Sequence, residues 1–190
     1  MIQGRRFVAT MFDQAKKVLD FWFSDRMRPN WYSKDAAVDA EIRETFEGLH
    51  QQAVAGKLDD WKKDAKSALA LIIVLDQFPR NMYRGSPKAF SSDPLALKVA
   101  EAAVSAGFDA SLDASEKTFM YLPFEHAEDL RAQQRSVELC RKPGLEESLR
   151  YAEDHLEIIK RFGRFPYRNV VLGRESTPEE IEFMKSHPGY

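Results

Sequence analysis

The sequence predicts an all-α fold, and three observations lead to that prediction. Apolar residues recur at spacings of three and four along most of the 190 residues, which is the period of an amphipathic helix. We find no convincing alternation of apolar and polar residues, which is the pattern of a half-buried strand. Helix-capping residues, glycine and proline fall where the apolar stripes begin and end. The chain should therefore form about eight or nine helices in antiparallel pairs.

Two amphipathic helices open the chain. Thr10 is a suitable N-cap for a first helix whose apolar stripe ends near Ser24. A second stripe covers residues 38–53 and should end at Gly56, because glycine readily adopts the left-handed conformation of a helix C-terminus. Each stripe supplies one apolar face for packing.

The third helix is expected to form the centre of the fold. It begins after Asp59 and Asp60 and contains the uninterrupted apolar run of residues 68–75. A helix that is apolar nearly all round is typically buried on all sides. Pro79 should end it, because proline has no N–H to continue the hydrogen-bond ladder.

The fourth helix has the clearest start signal in the chain. Asp93 is expected as its N-cap and Pro94 as its first residue, with Gly107 just after its end. Asp113 and Glu116 have the spacing of a capping box and should open a short fifth helix.

Proline and glycine punctuate the rest of the chain. The short fifth helix should reach Leu122, where Pro123 restarts or kinks the chain into a helix that runs to about Arg141. A stripe over residues 149–159 predicts a further helix, which Gly163 ends. The start of a last short helix is marked by Thr177, Pro178 and Glu180.

Composition bounds the domain organisation and the kind of partner. No linker divides the helices, so residues 1–190 should form one helical domain, with residues 1–9 as a poorly ordered N-terminal segment. The net charge of −2 argues against non-specific nucleic-acid binding. The single Cys140 excludes an internal disulfide framework and fits a reducing, cytoplasmic setting. The run of residues 68–75 is much shorter than the roughly 20 residues of a membrane span, and no apolar signal-peptide core follows the start.

The common catalytic and cofactor signatures are absent from the sequence. It has no Gly-x-Ser-x-Gly elbow, no phosphate-binding Gly-x-x-x-x-Gly-Lys loop and no dinucleotide Gly-x-Gly-x-x-Gly motif. The residues three before His126 and His155 are Pro123 and Ala152, so the Glu-x-x-His pattern of di-metal helical bundles is missing. We therefore expect neither a cofactor nor a metal ion.

The strongest anomaly is the segment 160–174, which holds five cations and no acid. These cations are Lys160, Arg161, Arg164, Arg168 and Arg174. One interpretation is an anion site, because a guanidinium group matches a carboxylate or phosphate with two parallel hydrogen bonds. The other is a set of structural ion pairs with the acids of FEHAED (124–129). Both interpretations stay open.

A repeated Phe-Pro element connects this segment with a second loop. Phe-Pro-Arg-Asn (78–81) and Phe-Pro-Tyr-Arg-Asn (165–169) each follow a helix. We expect the loops 78–85 and 161–174 to be adjacent, so that Arg80 and Arg84 join the cations. Arg161, Arg164 or Arg168 should then approach Asp76, Glu128 or Asp129.

Two further polar elements need partners. Asp76 and Gln77 end an otherwise apolar helix, where an unpaired acid and amide are costly to bury. Either an arginine of the 161–168 loop or a ligand should pair with them. His126 lies among acids and is the only plausible proton carrier, because imidazole titrates near neutral pH.

Several longer motifs resemble one known family. LDFWF (19–23), LALIIVLDQFPRNMYRG (69–85), AFSSDPLAL (89–97), MYLPFEHAEDLRAQQR (120–135) and RFGRFPYRNVVLGRESTPEE (161–180) are similar, in the same order, to the bacterial family catalogued as domain of unknown function 924. The resemblance implies a helical fold of tetratricopeptide type and no assigned activity. The family pattern has His at the position of Tyr167, and Met-His-Ser at 125–127 where this chain has Glu-His-Ala. The first departure argues against a proton carrier at position 167.

Two functions follow as hypotheses from different classes. In the first, a polar pocket binds a small anionic ligand and His126 is the candidate catalytic residue; in the second, a tetratricopeptide-like surface binds a peptide or protein partner without catalysis. The predicted ligand-binding residues are Arg80, Arg84, Arg161, Arg164, Arg168, Asn169 and Arg174. Their predicted structural partners are Asp76, Gln77, Glu128 and Asp129. Enzymatic activity and oligomeric state are left open.

Overall fold

The computed structural model describes residues 13–187 and residue 189, and their regular structure is helical throughout. No strand occurs in this part of the chain, which confirms the all-α prediction. The N-cap expected at Thr10 and the segment 1–9 lie outside the described residues. The α-helices are α1 (13–22), α2 (Ala36–Val54), α3 (Ala65–Ile72), α4 (Phe78–Met82), α5 (Asp93–Ser105), α6 (Ala114–His126), α7 (Leu130–Cys140), α8 (Glu146–Phe162) and α9 (Pro178–Met184).

A π-helical turn over Ile73–Gln77 joins α3 to α4, and together with α3 it forms the centre of the molecule. Every residue from 68 to 75 is at most 2% exposed to solvent. Helices α5 and α6 pack on α3, while α2 packs on the π-helical turn and on α4. The predicted central position of this segment is therefore confirmed.

Pro79 does not end the central helix, contrary to the prediction. The chain widens into the π-helical turn and continues through Pro79 as α4. Pro79 brings no N–H to this region, and two side chains supply donors instead. Ser92 Oγ donates to the carbonyl oxygen of Leu75 at 2.6 Å, and Arg80 Nη1 donates to that of Asp76 at 2.5 Å. A proline fits inside this helix because side chains satisfy nearby carbonyl groups.

Two helix starts differ from the predicted ones. Helix α3 does not begin directly after Asp59 and Asp60, because these residues open a short 3-10 helix (Asp59–Lys63) and Asp64 caps α3.

The start of α5 moves by one residue. Ser92 occupies the N-cap position and Asp93 is the first helical residue, whereas Asp93 was expected as the cap. The carboxylate of Asp93 instead accepts two hydrogen bonds from Arg80. The capping box of Asp113 and Glu116 at the start of α6 is present as predicted.

The break between α6 and α7 lies after His126 and not at Pro123. Helix α6 runs through Pro123, and Asp129 caps α7. Gln133 Nε2 donates to the carbonyl oxygen of Glu125 at 2.5 Å, which satisfies part of the end of α6. The sequence predicted His126 inside one long helix, but in the structure it is the last residue of α6.

The C-terminal part follows its predicted boundaries. Helix α8 packs along α7 and ends at Gly163, whose φ is +68°. Thr177 and Glu180 form the predicted capping box of α9. Within the described residues, none of the helices combines the length and apolar character needed to cross a membrane. The tetratricopeptide-like arrangement and the extent of a single domain stay predictions.

Candidate functional site

Asp76 and His126 form a hydrogen-bonded pair at the end of the central helix. The side chain of Asp76, in the π-helical turn, has no solvent exposure. The Nδ1 atom of His126 lies 2.9 Å and 3.0 Å from the two carboxylate oxygens of Asp76. Gln77 Nε2 donates to Asp76 Oδ2 at 2.5 Å, and Arg80 Nη1 lies 3.4 Å from Oδ1. Asp76 thus has three polar partners, which are the amide of Gln77, the imidazole of His126 and the guanidinium of Arg80.

The surroundings favour an ionised Asp76 and a neutral His126. Burial by itself raises the pKa of Asp76, but Arg80, His126 and Gln77 together bring it below its ordinary value. Burial, with the charge of Arg80, lowers the pKa of His126 although Asp76 raises it. An ionised carboxylate only accepts hydrogen bonds, so Nδ1 must carry the ring proton. The lone pair is then on Nε2, which has no hydrogen-bond partner among the described residues.

Asp93 and Phe90 bring the two Phe-Pro loops together. Arg80 donates to both carboxylate oxygens of Asp93 at 2.9 Å, and Arg168 Nη1 lies 3.7 Å from Asp93 Oδ2. The Phe90 ring lies 5.7 Å from the guanidinium of Arg80 and 4.7 Å from that of Arg168. Arg168 Nη1 also donates to the carbonyl oxygen of His126 at 3.1 Å. The loops are therefore adjacent, as expected from their repeated motif, and both reach the Asp76–His126 pair.

Arg168 is held mainly by aromatic rings. Its guanidinium carbon lies 4.5 Å from the ring centre of Phe165 and 5.8 Å from that of Tyr167, in addition to its contact with Phe90. No carboxylate of the described residues forms a two-pronged pair with it, and its buried Nε has no hydrogen-bond partner. Arg168 is thus a buried cation whose nearest acid, Asp93, is already engaged by Arg80.

The other predicted arginines are paired with acids. Two-pronged pairs join Arg84 to Asp39, Arg164 to Glu180 and Arg174 to Glu128, and Arg161 forms a single exposed contact with Glu179. Asn169 donates to Ser176 at 3.1 Å and to Glu180 at 3.3 Å.

The expected partners differ from those observed in this part of the chain. Asp76 is approached by Arg80 and Glu128 by Arg174, while Asp129 serves as the N-cap of α7. The structural ion-pair interpretation therefore describes Arg84, Arg164 and Arg174. Their partners lie outside FEHAED except for Glu128, so the sequence could not pair them by proximity.

Glu125 was expected only as one of the FEHAED acids that could pair with arginines, but no arginine forms an ion pair with it among the described residues. Glu125 is 6% exposed, and its Oε1 lies 3.5 Å from Nδ1 of His155. Burial, with the negative charges of Asp76 and Asp154, raises the pKa of Glu125 to about 8. Burial lowers the pKa of His155 to about 3, so the two side chains face each other uncharged at neutral pH. The sequence carried no signal for this, because the burial of Glu125 depends on α8 packing against α6.

The part of the chain that the structure describes has no group of three His, Cys, Asp or Glu side chains arranged to hold a metal ion.

Comparisons with known proteins agree with the family resemblance of the motifs. A family model described as a bacterial protein of unknown function (DUF924) matches residues 18–188. The chain is 42% identical to a protein of unknown function from Agrobacterium tumefaciens, ATU0120, whose structure has been solved. That match covers 92% of this chain and 98% of the other, with a TM-score of 0.87. No curated protein sequence matches the chain.

Proposed function

The chain belongs to the bacterial family of unknown function DUF924, and because that membership supplies no activity, we propose its function from geometry. The protein binds a small anionic molecule beside His126, and Nε2 of His126 accepts a proton or a hydrogen bond from that molecule. The observation that carries this proposal is the contact of His126 Nδ1 with both carboxylate oxygens of buried Asp76.

The Asp76–His126 pair has the arrangement of a general base. A carboxylate that accepts the Nδ1 proton fixes the ring orientation and its tautomer, and it stabilises the imidazolium that forms when Nε2 takes a proton. The side chain of His126 is 15% exposed, and that of Arg80 beside it is 21% exposed. A histidine that served only packing would not need an unpaired Nε2 on a partly exposed side chain.

The charge balance of the site permits an anionic ligand. Asp76 and Asp93 are two carboxylates that face two guanidinium groups, Arg80 and Arg168. With His126 and Glu125 uncharged, the site has no excess negative charge to repel an anion. Among the predicted ligand-binding arginines, Arg168 has the longest distance to its acid partner, 3.7 Å to Asp93. Its positive charge is therefore the one best suited to stabilise the charge of a ligand.

The alternative is a helical module that binds a peptide or protein without catalysis. Such a module would use exposed apolar side chains, and the large ones come from several different elements. These are Tyr32, Val54, Leu95, Leu130, Tyr151, Val170 and Ile181. An imidazole–carboxylate pair has no evident use in that function, so we favour the small-molecule site.

A thermal-shift panel with inorganic phosphate, phosphate monoesters and small hydroxy acids tests the proposal. A ligand that binds the native state raises the unfolding temperature by mass action. We expect Arg168→Met and His126→Gln to lose that rise, while the controls Arg161→Met and His187→Gln keep it. Arg161 forms an ion pair on the surface and His187 is exposed. Each control therefore removes a guanidinium or an imidazole group, as the test variants do, but outside the site. An equal rise in all four variants would contradict the proposal.

A further inference from the structure

Glu125 lies one residue before His126 in the last turn of α6, and its carboxyl group has no ordinary partner. Neither oxygen of this carboxyl group accepts or donates a hydrogen bond among the described residues, although the residue is only 6% exposed. His155 Nδ1 lies 3.5 Å from Oε1 of Glu125 and 2.8 Å from the carbonyl oxygen of Tyr151. Nδ1 is therefore already engaged as a donor to the backbone.

A largely buried carboxyl group without a hydrogen-bond donor is costly to ionise. Neither cation of the site forms an ion pair with Glu125, since Arg80 pairs with Asp93 and Asp76, and the acid next to Arg168 is Asp93. Glu125 therefore retains an unused hydrogen-bonding group beside the site.

We infer that Glu125 is the proton donor of this site, complementary to the acceptor His126, and that it hydrogen-bonds an oxygen of the bound molecule. This inference rests on the proposed function, because it names the second polar contact of the same ligand. A neutral carboxyl group donates one hydrogen bond, whereas an ionised one donates none.

The surroundings of Glu125 support its neutral form at pH 7. Its pKa is raised to about 8 by burial, by Asp76 on the π-helical turn and by Asp154 on α8. Other titratable groups lie near Glu125, which is itself one cause of the raised pKa values of the two tyrosines and the cysteine among them. They are Tyr32 before α2, Cys140 on α7, His155 on α8 and Tyr167 in the loop after α8.

None of the groups with an altered pKa interferes near pH 8. Burial raises the pKa of Cys140 to about 12, and burial lowers that of His155 to about 3. Burial also raises the pKa of Tyr167, and the positive charges of Arg168 and Arg80 reduce that rise. A titration near pH 8 in this cluster would therefore belong to Glu125.

Together, the donor Glu125 and the acceptor His126 select a chemical class of ligand. His126 Nε2 needs a ligand that donates a hydrogen bond, while the Glu125 hydroxyl and Arg168 need oxygens that accept. A hydroxy acid or a hydrogen phosphate carries both kinds of group on neighbouring atoms. If protons move, one leaves Glu125 for the ligand and one leaves the ligand for His126, so the complex neither gains nor loses a proton.

The first test needs no ligand. In the full chain labelled with 13C at the Glu carboxyl carbon, NMR should follow one glutamate that titrates near pH 8 and is missing in Glu125→Gln. Asp76→Asn should lower that pKa, because the negative charge of Asp76 raises it. A Glu125 signal that titrates in the ordinary range near 4.3 overturns the inference, whatever the protein binds.

The second test uses lactate, a hydroxy acid that does not titrate near pH 8, and measures its affinity by NMR titration. Glu125→Gln keeps an N–H donor and should bind within about threefold of the parent, whereas Glu125→Leu should bind about tenfold more weakly. Parent affinity should fall as pH rises through 8, and Glu125→Gln should lack that fall. Equal binding by Glu125→Leu overturns the inference.

The two proposals fail in different ways. If neither lactate nor any anion of the thermal-shift panel binds the parent, the proposed function fails, and the NMR titration still decides the state of Glu125. If lactate binds and the binding depends on His126 but not on Glu125, the proposed function stands and this inference fails.

Discussion

Ser92 Oγ donates a hydrogen bond to the carbonyl oxygen of Leu75 at 2.6 Å and lies 3.1 Å from Nε2 of His50. Since the Ser92 hydroxyl proton is used on Leu75, Nε2 of His50 must be the donor in the second contact. A residue at the start of α5 thereby satisfies a carbonyl group of the central helix next to Pro79. The same helix turn presents Asp76 to His126, so this contact supports the geometry of the site.

Ser92→Ala should therefore lower the free energy of unfolding by about 1–3 kcal/mol, because a buried acceptor loses its donor. Equilibrium denaturation measures this loss. Ser91→Ala is the matched control, since Ser91 is exposed and its hydroxyl donates to a surface carbonyl. The control should stay within about 0.5 kcal/mol of the parent. Equal stability of the two variants would mean that the carbonyl of Leu75 finds another donor.

Ile72→Ala should cost about 2–5 kcal/mol, through lost contacts and the cavity it leaves at the centre of the fold. Ile72 is fully buried at the end of α3. Val54→Ala serves as a comparison, because Val54 is 47% exposed at the end of α2. Denaturant unfolding of both proteins checks the difference. A loss below about 0.5 kcal/mol for Ile72→Ala would contradict the central position of α3.

Local signals were enough to predict most of the helices and the buried centre. The apolar run of residues 68–75 and the capping residues Asp113 and Thr177 act through neighbouring residues, so their effect is visible in the sequence. The effect of Pro79 was mispredicted because Ser92, which lies 13 positions along the chain from it, supplies a donor beside it. Such compensation depends on tertiary packing and leaves no periodic pattern.

Arg164→Met should destabilise the protein, because it leaves the buried carboxylate of Glu180 without its two-pronged partner. Thermal unfolding should show a clear decrease in the unfolding temperature. Arg161→Met removes an exposed contact with Glu179 and should change that temperature little. A larger effect in Arg161→Met than in Arg164→Met would contradict the assignment of Arg164 as a structural residue.

The Arg164–Glu180 pair also predicts a dependence of stability on pH. Hydrogen bonding from Arg164 is the main cause that lowers the pKa of Glu180 to about 2, whereas an unfolded glutamate has a pKa of about 4.3. The stabilisation is therefore complete above the unfolded pKa and is lost as pH falls through the folded one. Unfolding curves between pH 6 and 2 should converge for the parent and Arg164→Met. Curves that stay parallel over this range would contradict the pairing.

The composition of the candidate site could be predicted only in part. His126, Asp76, Arg80 and Arg168 carried visible signals, as polar residues at helix ends or in the Phe-Pro loops. Asp93 was assigned to helix capping, because Asp-Pro is a strong start signal and its contact with Arg80 needs the folded chain. The ion pairs of the other arginines were undetermined for the same reason.

Asp76→Asn tests the electrostatic role of the buried carboxylate. The negative charge of Asp76 raises the pKa of His126, so its removal should lower that pKa further below the ordinary value. An asparagine can also donate to Nδ1, which would place the ring proton on Nε2 in part of the molecules. Two-dimensional 15N–1H NMR of the imidazole groups separates the two tautomers, with His187 as an internal reference outside the site.

The same variant should change how stability depends on pH. A histidine whose folded pKa is lowered contributes stability that is complete above its unfolded pKa of about 6.5 and is lost as pH falls through the folded pKa. In Asp76→Asn this loss should extend to lower pH, because the folded pKa is lower still. If the variant instead keeps the proton on Nδ1 with the parent's pKa, Asp76 does not control His126, and the general-base arrangement has no electrostatic basis.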